Sequence, residues 1–156
     1  MKNKRILITG SAGTIGSELA RQLYKQNKIY GLDLNEMRLH SLKTELGIAV
    51  RVGDIRNKET IRNVFEDFKP QYVFHAAALK HVTPNQEYPE EAIKTNALGT
   101  WNIIAESKRW ECLEKFVFIS TDKVVNARSI MGATKLLGEI MVRNQGKGFI
   151  AVRFGN

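Results

Sequence analysis

Arg5-Ile6-Leu7-Ile8-Thr9-Gly10-Ser11-Ala12-Gly13-Thr14-Ile15-Gly16 is the stretch from which the fold can be read. An apolar run, Arg5–Thr9, is followed at once by G-x-x-G-x-x-G, and then Ile15, Leu19 and Leu23 recur at helical spacing. A short apolar run reads as a buried strand, the glycines as a turn, and the 3.6-residue recurrence as a helix. Strand, glycine turn and helix in that order are the parts of a phosphate cradle. Gly10 permits the tight turn, Gly13 lets the backbone approach a pyrophosphate without a Cβ between them, and Gly16 lets the helix pack close. The free N–H groups and dipole at the helix start favour the anion. Glycines alone serve ordinary turns. Placed between a clear strand and a clear helix, they predict dinucleotide binding through Gly10, Ser11, Gly13, Thr14, Ile15 and Gly16.

Outward from this unit the same alternation repeats. Apolar runs follow at Lys28–Asp33, Ile48–Val52, Tyr72–His75, Phe116–Ser120 and Phe149–Arg153. Consecutive apolar residues suit strands covered on both faces of a parallel sheet. Between the runs, Ile61, Phe65 and Phe68 share one helical face, and Ala92, Leu98, Ile103 and Ile104 are expected to share another. Six strands alternating with five helices predict an α/β, Rossmann-like, doubly wound parallel sheet with strand order 3-2-1-4-5-6. No linker or repeat divides residues 1–156, so one domain is expected. The sequence ends at Phe154-Gly155-Asn156, straight after the sixth run, and is read as the front part of a longer chain.

Composition bounds the rest. The 156 residues are 43% hydrophobic and 26% charged, the balance of an ordinary folded domain rather than a disordered one. No apolar stretch approaches the roughly 18 residues needed to span a bilayer, and the opening has no signal-peptide core. A cytoplasmic location without membrane contact is expected. The single Cys112 excludes an internal disulfide framework, and one Cys with three scattered His leaves no metal-ligand spacing. The formal net charge is +8, but no basic run exceeds a pair, and aromatic-basic clusters are absent; solvated surface is expected and a nucleic-acid partner is not. Neither a G-x-S-x-G elbow nor a P-loop lysine motif occurs, which sets aside hydrolase and kinase readings.

Asp33 closes the second run, 17 residues beyond Gly16. A carboxylate there accepts hydrogen bonds from adenosine ribose hydroxyls and repels a 2′-phosphate, which favours NAD over NADP; its other use is to cap the helix starting near Asn35. Asp54 and Ile55 after the third run have two readings of equal weight, the adenine edge or the cap of the next helix. Lys80 and His81 follow the fourth run on the carboxyl edge of the sheet. Lys80 reads either as a partner for a substrate phosphate or as surface. His40 and His75 read as helix surface and strand end.

Several motifs fall in order along the chain: TGSAGTIG (9–16), GDIR (53–56), HAAA (75–78), KTNALGT (94–100), ISTDK (119–123), Lys135 and VRFGN (152–156). Together they resemble the extended short-chain dehydrogenases/reductases. AALKHV (77–82), EYPEEAIKTN (87–96), STDK and MGATK (131–135) resemble within it the CapD-like polysaccharide biosynthesis branch, similar to UDP-N-acetylglucosamine 4,6-dehydratases. The resemblance implies an NAD enzyme that moves a hydride from C4 of a UDP-sugar, loses water across C5 and C6, and returns the hydride to C6. It implies that Ala76, Ala77 and Ala78 wall the cofactor and that Asn96 fixes the backbone around the active-site strand. Thr121 would bond the sugar 4-hydroxyl, Asp122 would protonate the leaving 6-hydroxyl, and Lys123 would take the C5 proton. Lys135 would contact the nicotinamide ribose, and Asn156 would begin the segment gripping the sugar. It further implies homo-oligomers through two outer helices, Pro89–Arg109 and Ser129–Asn144, and a C-terminal substrate-binding part beyond this sequence. A 4-epimerase on the same scaffold and a non-catalytic NAD-binding module are the alternatives.

One position departs from the superfamily pattern. Four residues before Lys135, where that superfamily has a proton-accepting tyrosine, stands Met131, whose thioether accepts no proton at useful pH. Asp122, water or a residue outside this sequence would have to serve, with His81 the nearest titratable stand-in.

Overall fold

A computed structural model describes residues 1–155; the Asn156 expectation lies outside the described residues. The strands are β1 (Arg5–Thr9), β2 (Lys28–Asp33), β3 (Ala49–Val52), β4 (Tyr72–His75), β5 (Lys115–Thr121) and β6 (Phe149–Phe154). They form one parallel sheet in the order 3-2-1-4-5-6, as the alternation predicts. Helices α1 (Thr14–Leu23), α2 (Glu36–Leu46) and α3 (Lys58–Phe68) make the first three crossovers.

Because side chains alternate along a strand, β1 serves two cores at once. Ile6 and Ile8 pack with Ala20 of α1 and Leu42 of α2. Leu7 between them packs on the other face with Ile61, Val64 and Phe65 of α3 and with Phe116 and Phe118 of β5. All three β1 residues are fully buried. Each such side chain contributes roughly 1.5–3 kcal/mol relative to exposure, so the strand that leads into the glycine turn is firmly fixed.

The crossover from β4 to β5 differs from the single helix expected. It holds α4 (Val82–Glu87), α5 (Pro89–Ala92), a π-helical stretch Ile93–Gly99, and α6 (Thr100–Ser107). The wider π turn shifts the phase of the helix. Asn96, Ala97 and Gly99 face inward with Ile103 and Ile104, while Leu98 is left exposed. Gly99 lets Ile55 pack close, since a Cβ there would lie 2.7 Å from Ile55 Cδ1 and push that side chain aside. The last helix, α7 (Ile130–Arg143), falls within the expected range and is capped by Ser129, whose hydroxyl accepts from Gly132 N–H. Among the described residues, no helix is long and apolar enough to cross a membrane.

Candidate functional site

Two clefts open at the carboxyl edge of the sheet. The first, about 360 Å³, lies over the glycine turn and α1 and runs to Asp33; the second, about 480 Å³, lies between the end of β5 and α7. Ile15, Ala76, Ala78, Lys80 and His81 line both, so the loop after β4 is their shared wall.

The first cleft is built by glycine. Gly10 has φ +70°, in the left-handed region that glycine adopts freely, and a Cβ on it would lie 2.5 Å from Ala77 N. Gly16 sits so close beneath that its Cβ would be 2.1 Å from Gly10 O. Gly13 starts α1, and no side chain caps that helix, so its first N–H groups face the cleft without a side-chain partner. Thr14 and Ile15 continue the lining. Ser11 behaves otherwise: it is fully buried, its hydroxyl is unpartnered, and it packs toward Gly31 instead of lining the cleft.

Asp33 stands at the far end of this cleft. One carboxylate oxygen accepts from Ala12 N–H and the other from Asn35 N–H, both at 2.9 Å. It thus ties β2 to the glycine turn and keeps lone pairs for a ligand hydroxyl. The cap of α2 is Asn35, whose side chain accepts from Arg38 N–H. Ile55 lines the cleft. Asp54 does not; its carboxylate holds Arg56, which continues to Glu91. The cap of α3 is Asn57.

In the second cleft the chain leaves β geometry after Thr121, in a 3₁₀ turn Asp122–Val124. That turn gathers three consecutive side chains that a strand would set on alternate faces. Thr121 Oγ1 donates to Asp122 Oδ1 at 2.9 Å, and Lys123 Nζ lies 3.7 Å from the same oxygen. The Thr121 bond, aided by Lys123, holds the Asp122 carboxyl below its ordinary pKa. Thr121 and Lys123 line the cleft, while Asp122 is exposed at its rim.

Met131 and Lys135 form the α7 wall. Lys135 is buried, donates to Ile119 O at 2.5 Å and lies 4.1 Å from the Phe118 ring centroid. Burial pushes its pKa down to about 7, with Glu139 opposing. Glu139, one turn on, is itself buried and makes a two-pronged pair with Arg153 of β6 at 2.9 and 2.7 Å. The guanidinium keeps Glu139 below the usual carboxylate range.

Beneath both clefts runs a polar chain that sequence reading misses. Thr100 Oγ1 donates to Asn96 O, which leaves it to accept from His75 Nε2–H at 2.9 Å; His75 Nδ1 then accepts from the Thr9 hydroxyl at 2.6 Å. Asn96 does not reach the clefts. Its amide accepts from Leu79 N–H and donates to Leu79 O and Thr134 Oγ1, and Asn85 also donates to Leu79 O. The shared wall is thereby clamped to the π-helical stretch and to α7. The spacing of Asn96 and Thr100, four residues apart in KTNALGT, was the only trace of this chain in the sequence.

His75 is fully buried, and burial, with Lys135 nearby, lowers its pKa from 6.5 to about 3. The folded state therefore holds it neutral, and the unfolded chain binds more protons between pH 6.5 and 3. Stability from this group is complete above pH 6.5 and is lost as pH falls, by at most roughly 5 kcal/mol. His75→Gln, which keeps an acceptor and a donor without a titrating ring, is expected to flatten that slope in urea unfolding from pH 7 to 4 while costing about 1–2 kcal/mol at pH 7. Equal slopes in the two proteins would show that His75 is not the group that acid must charge.

Residues 6–156 match a family described as polysaccharide biosynthesis protein. The capsular polysaccharide biosynthesis protein CapD of Staphylococcus aureus is 44% identical over the whole chain, which spans 28% of CapD. A UDP-N-acetylglucosamine 4,6-dehydratase (inverting) of Campylobacter jejuni is 34% identical over 98% of the chain and 49% of its own length. Other relatives bear the name UDP-glucose 4-epimerase. The solved structure of Pen from Bacillus thuringiensis superposes with a TM-score of 0.89 at 32% identity, over 99% of this chain and 51% of that one. The chain thus spans about half or less of the length of these relatives. With its sequence matched almost from end to end and its fold shared, the chain belongs to the polysaccharide biosynthesis protein family.

Proposed function

We propose that residues 1–156 form the cofactor-binding part of a longer nucleotide-sugar enzyme, which dehydrates a UDP-N-acetylhexosamine in glycan biosynthesis with NAD. The observation that carries this reading is the meeting of the two clefts. A cradle with no room for a Cβ at Gly10 or Gly16 adjoins the Thr121-Asp122-Lys123 turn across one shared wall.

The residues of the first cleft suit a dinucleotide. The uncapped start of α1 and Gly13 would receive its phosphates, and Asp33 its adenosine ribose. The same carboxylate would repel a 2′-phosphate, so NAD should bind ahead of NADP. When bound, the nicotinamide would accept a hydride from the sugar and later return it. Lys135 would contact the ribose beside it.

Thr121 would turn its hydroxyl from Asp122 to the sugar 4-hydroxyl. That exchange removes the bond holding Asp122 low in pKa and readies it to protonate the leaving 6-hydroxyl. Lys123 would take the C5 proton. Met131 accepts no proton, and Lys135 on the same wall, close to half-neutral at pH 7, is the group of this chain best suited to receive the 4-hydroxyl proton. Lys80 would meet substrate phosphate at the shared wall. The apolar side chains left exposed on the two outer helices, Ile93, Leu98 and Trp101 on one and Leu137 and Ile140 on the other, would pair two subunits.

A 4-epimerase is the second reading, and some relatives bear that name. Inversion at C4 needs no C5 deprotonation, so the Asp122-Lys123 pair favours dehydration. The complete protein incubated with UDP-N-acetylglucosamine and NAD should yield a 4-keto-6-deoxy sugar. Lys123→Met should lower turnover about a thousandfold, the scale of a lost general base, with NAD affinity unchanged. A C4 epimer without loss of water would overturn the proposal.

A further inference from the structure

The cations that look scattered in the sequence are collected by the fold. In a parallel sheet every strand begins at the same edge, here the edge opposite the clefts. Arg5, Lys28 and Lys115 are the first residues of β1, β2 and β5. Lys2 and Lys4 precede β1, Lys25 lies between α1 and β2, Lys69 is the C-cap of α3 just before β4, and Lys147 precedes β6. Contacts join them: Lys28 N–H donates to Lys4 O at 2.9 Å, Arg5 Nε donates to Lys69 O at 2.8 Å, and Arg5 and Lys28 are register partners. Lys4, Arg5, Lys25 and Lys28 line one groove.

Two carboxylates lie in the connections at this edge, Glu111 and Glu114 before β5, against the eight cations. Glu114 pairs with Lys4 at 2.6 Å, and its remaining bonds go to Gln71 and Tyr72. Lys2, Lys25, Lys28, Lys69 and Lys147 are exposed and, among the described residues, have no carboxylate within ion-pair distance. Helix dipoles favour cations at helix C-termini, which accounts for Lys25 and Lys69 but not for those at strand starts. Five neighbouring strands, β2 to β6, place these charges across roughly 20 Å, so an extended anionic surface can meet them together, whereas a small ligand meets one or two.

We propose that this amino edge docks on an anionic membrane surface, with the clefts turned away from the lipid. The chemistry favours lipid over nucleic acid. Seven of the eight cations are lysines, diffuse point charges rather than bidentate forks. The edge consists of strand starts and turns, with no helix or strand laid out to enter a groove. Its aromatic rings are engaged: the Tyr72 hydroxyl donates to Glu114, and Tyr24 is half-buried against the core. Stacking platforms for bases are thus missing. Such docking needs no membrane-spanning stretch, and its charges are brought together by the fold although they are scattered in sequence.

The test is flotation of the 156-residue chain with phosphatidylcholine vesicles, with and without roughly one-third phosphatidylglycerol. At least tenfold more protein should float with the anionic vesicles, and raising salt from about 50 to 500 mM should abolish the difference. The combined variant Lys25→Glu, Lys28→Glu, Lys69→Glu and Lys147→Glu should lose that tenfold. Lys58→Glu, Arg62→Glu, Lys94→Glu and Arg128→Glu, a set with the same net charge change placed elsewhere, should bind within twofold of the parent; circular dichroism verifies that both sets fold. Equal loss in the two sets, equal binding to neutral vesicles, or tighter binding to duplex DNA or RNA than to anionic vesicles would overturn the proposal.

Discussion

Gly16→Ala should eliminate NAD binding by the complete protein, the largest loss expected from any single methyl group in this chain. The added Cβ would stand 2.1 Å from Gly10 O, 2.8 Å from Gly10 C and 2.8 Å from Ser11 Cα, all backbone atoms. Side chains could swing away from such a contact, but this backbone is anchored. Gly10 N–H donates to Leu32 O at 2.8 Å, and Gly10 O accepts from Gly13 N–H at 3.1 Å. Relief requires that α1 move off the sheet or that the turn open, and either displaces the N–H groups proposed to hold the phosphates. Overpacking of this kind costs about 3 kcal/mol, and the same displacement expressed in binding is a loss of about a hundredfold or more. Gly47→Ala is the matched control. Its φ of +65° imposes local strain, yet a Cβ there meets nothing within 4 Å, so about 1 kcal/mol of stability should go and NAD affinity should stay. Calorimetric titration alongside urea unfolding separates the two effects. Binding by Gly16→Ala within threefold of the parent would show that the turn does not hold the dinucleotide.

The fold was legible because its decisive signals are local. An apolar run followed by a helical recurrence marks the units, the glycine turn fixes the first of them, and the handedness of parallel crossovers then sets the strand order. Asp33 was readable for the same reason, as the last residue of its strand, whereas Thr121 and Lys123 were read through the family resemblance of ISTDK. Features that depend on distant partners were not. His75 meets Thr9 and Thr100, 66 and 25 residues away, and nothing near His75 distinguishes it from any strand-end histidine. Leu98 follows an apolar pattern yet is exposed, because one π turn resets the helix phase. Ser11 sits within the glycine motif but points inward, as Gly31 leaves space beneath it. The charged edge escaped reading because parallel pairing unites residues that the sequence keeps apart.

Lys135→Met should make the chain more stable and the enzyme inactive. On folding, the pKa of Lys135 falls from 10.5 to about 7, because its amine enters the wall between β5 and α7. Between pH 7 and 10.5 the unfolded chain therefore binds more protons than the folded one. Stability from this group rises with pH across that window, and below pH 7 the whole cost of burying the charge is present, at most roughly 5 kcal/mol. Methionine removes that cost and still packs on Phe118. Its loss is the bond to Ile119 O, worth about 1 kcal/mol. A gain of about 2 kcal/mol is expected at pH 6, fading to none or a slight loss near pH 10. Turnover of UDP-N-acetylglucosamine should meanwhile drop at least a hundredfold, the usual scale for a lost proton acceptor. Urea unfolding at the two pH values and a product assay check both halves. If Lys135→Met were less stable at pH 6 as well, the amine would be a structural anchor, and its place in the proposed chemistry would go with it. If the gain appears, a lysine kept at the expense of stability, one turn from a methionine that cannot accept a proton, is best explained by what its amine does in the cleft.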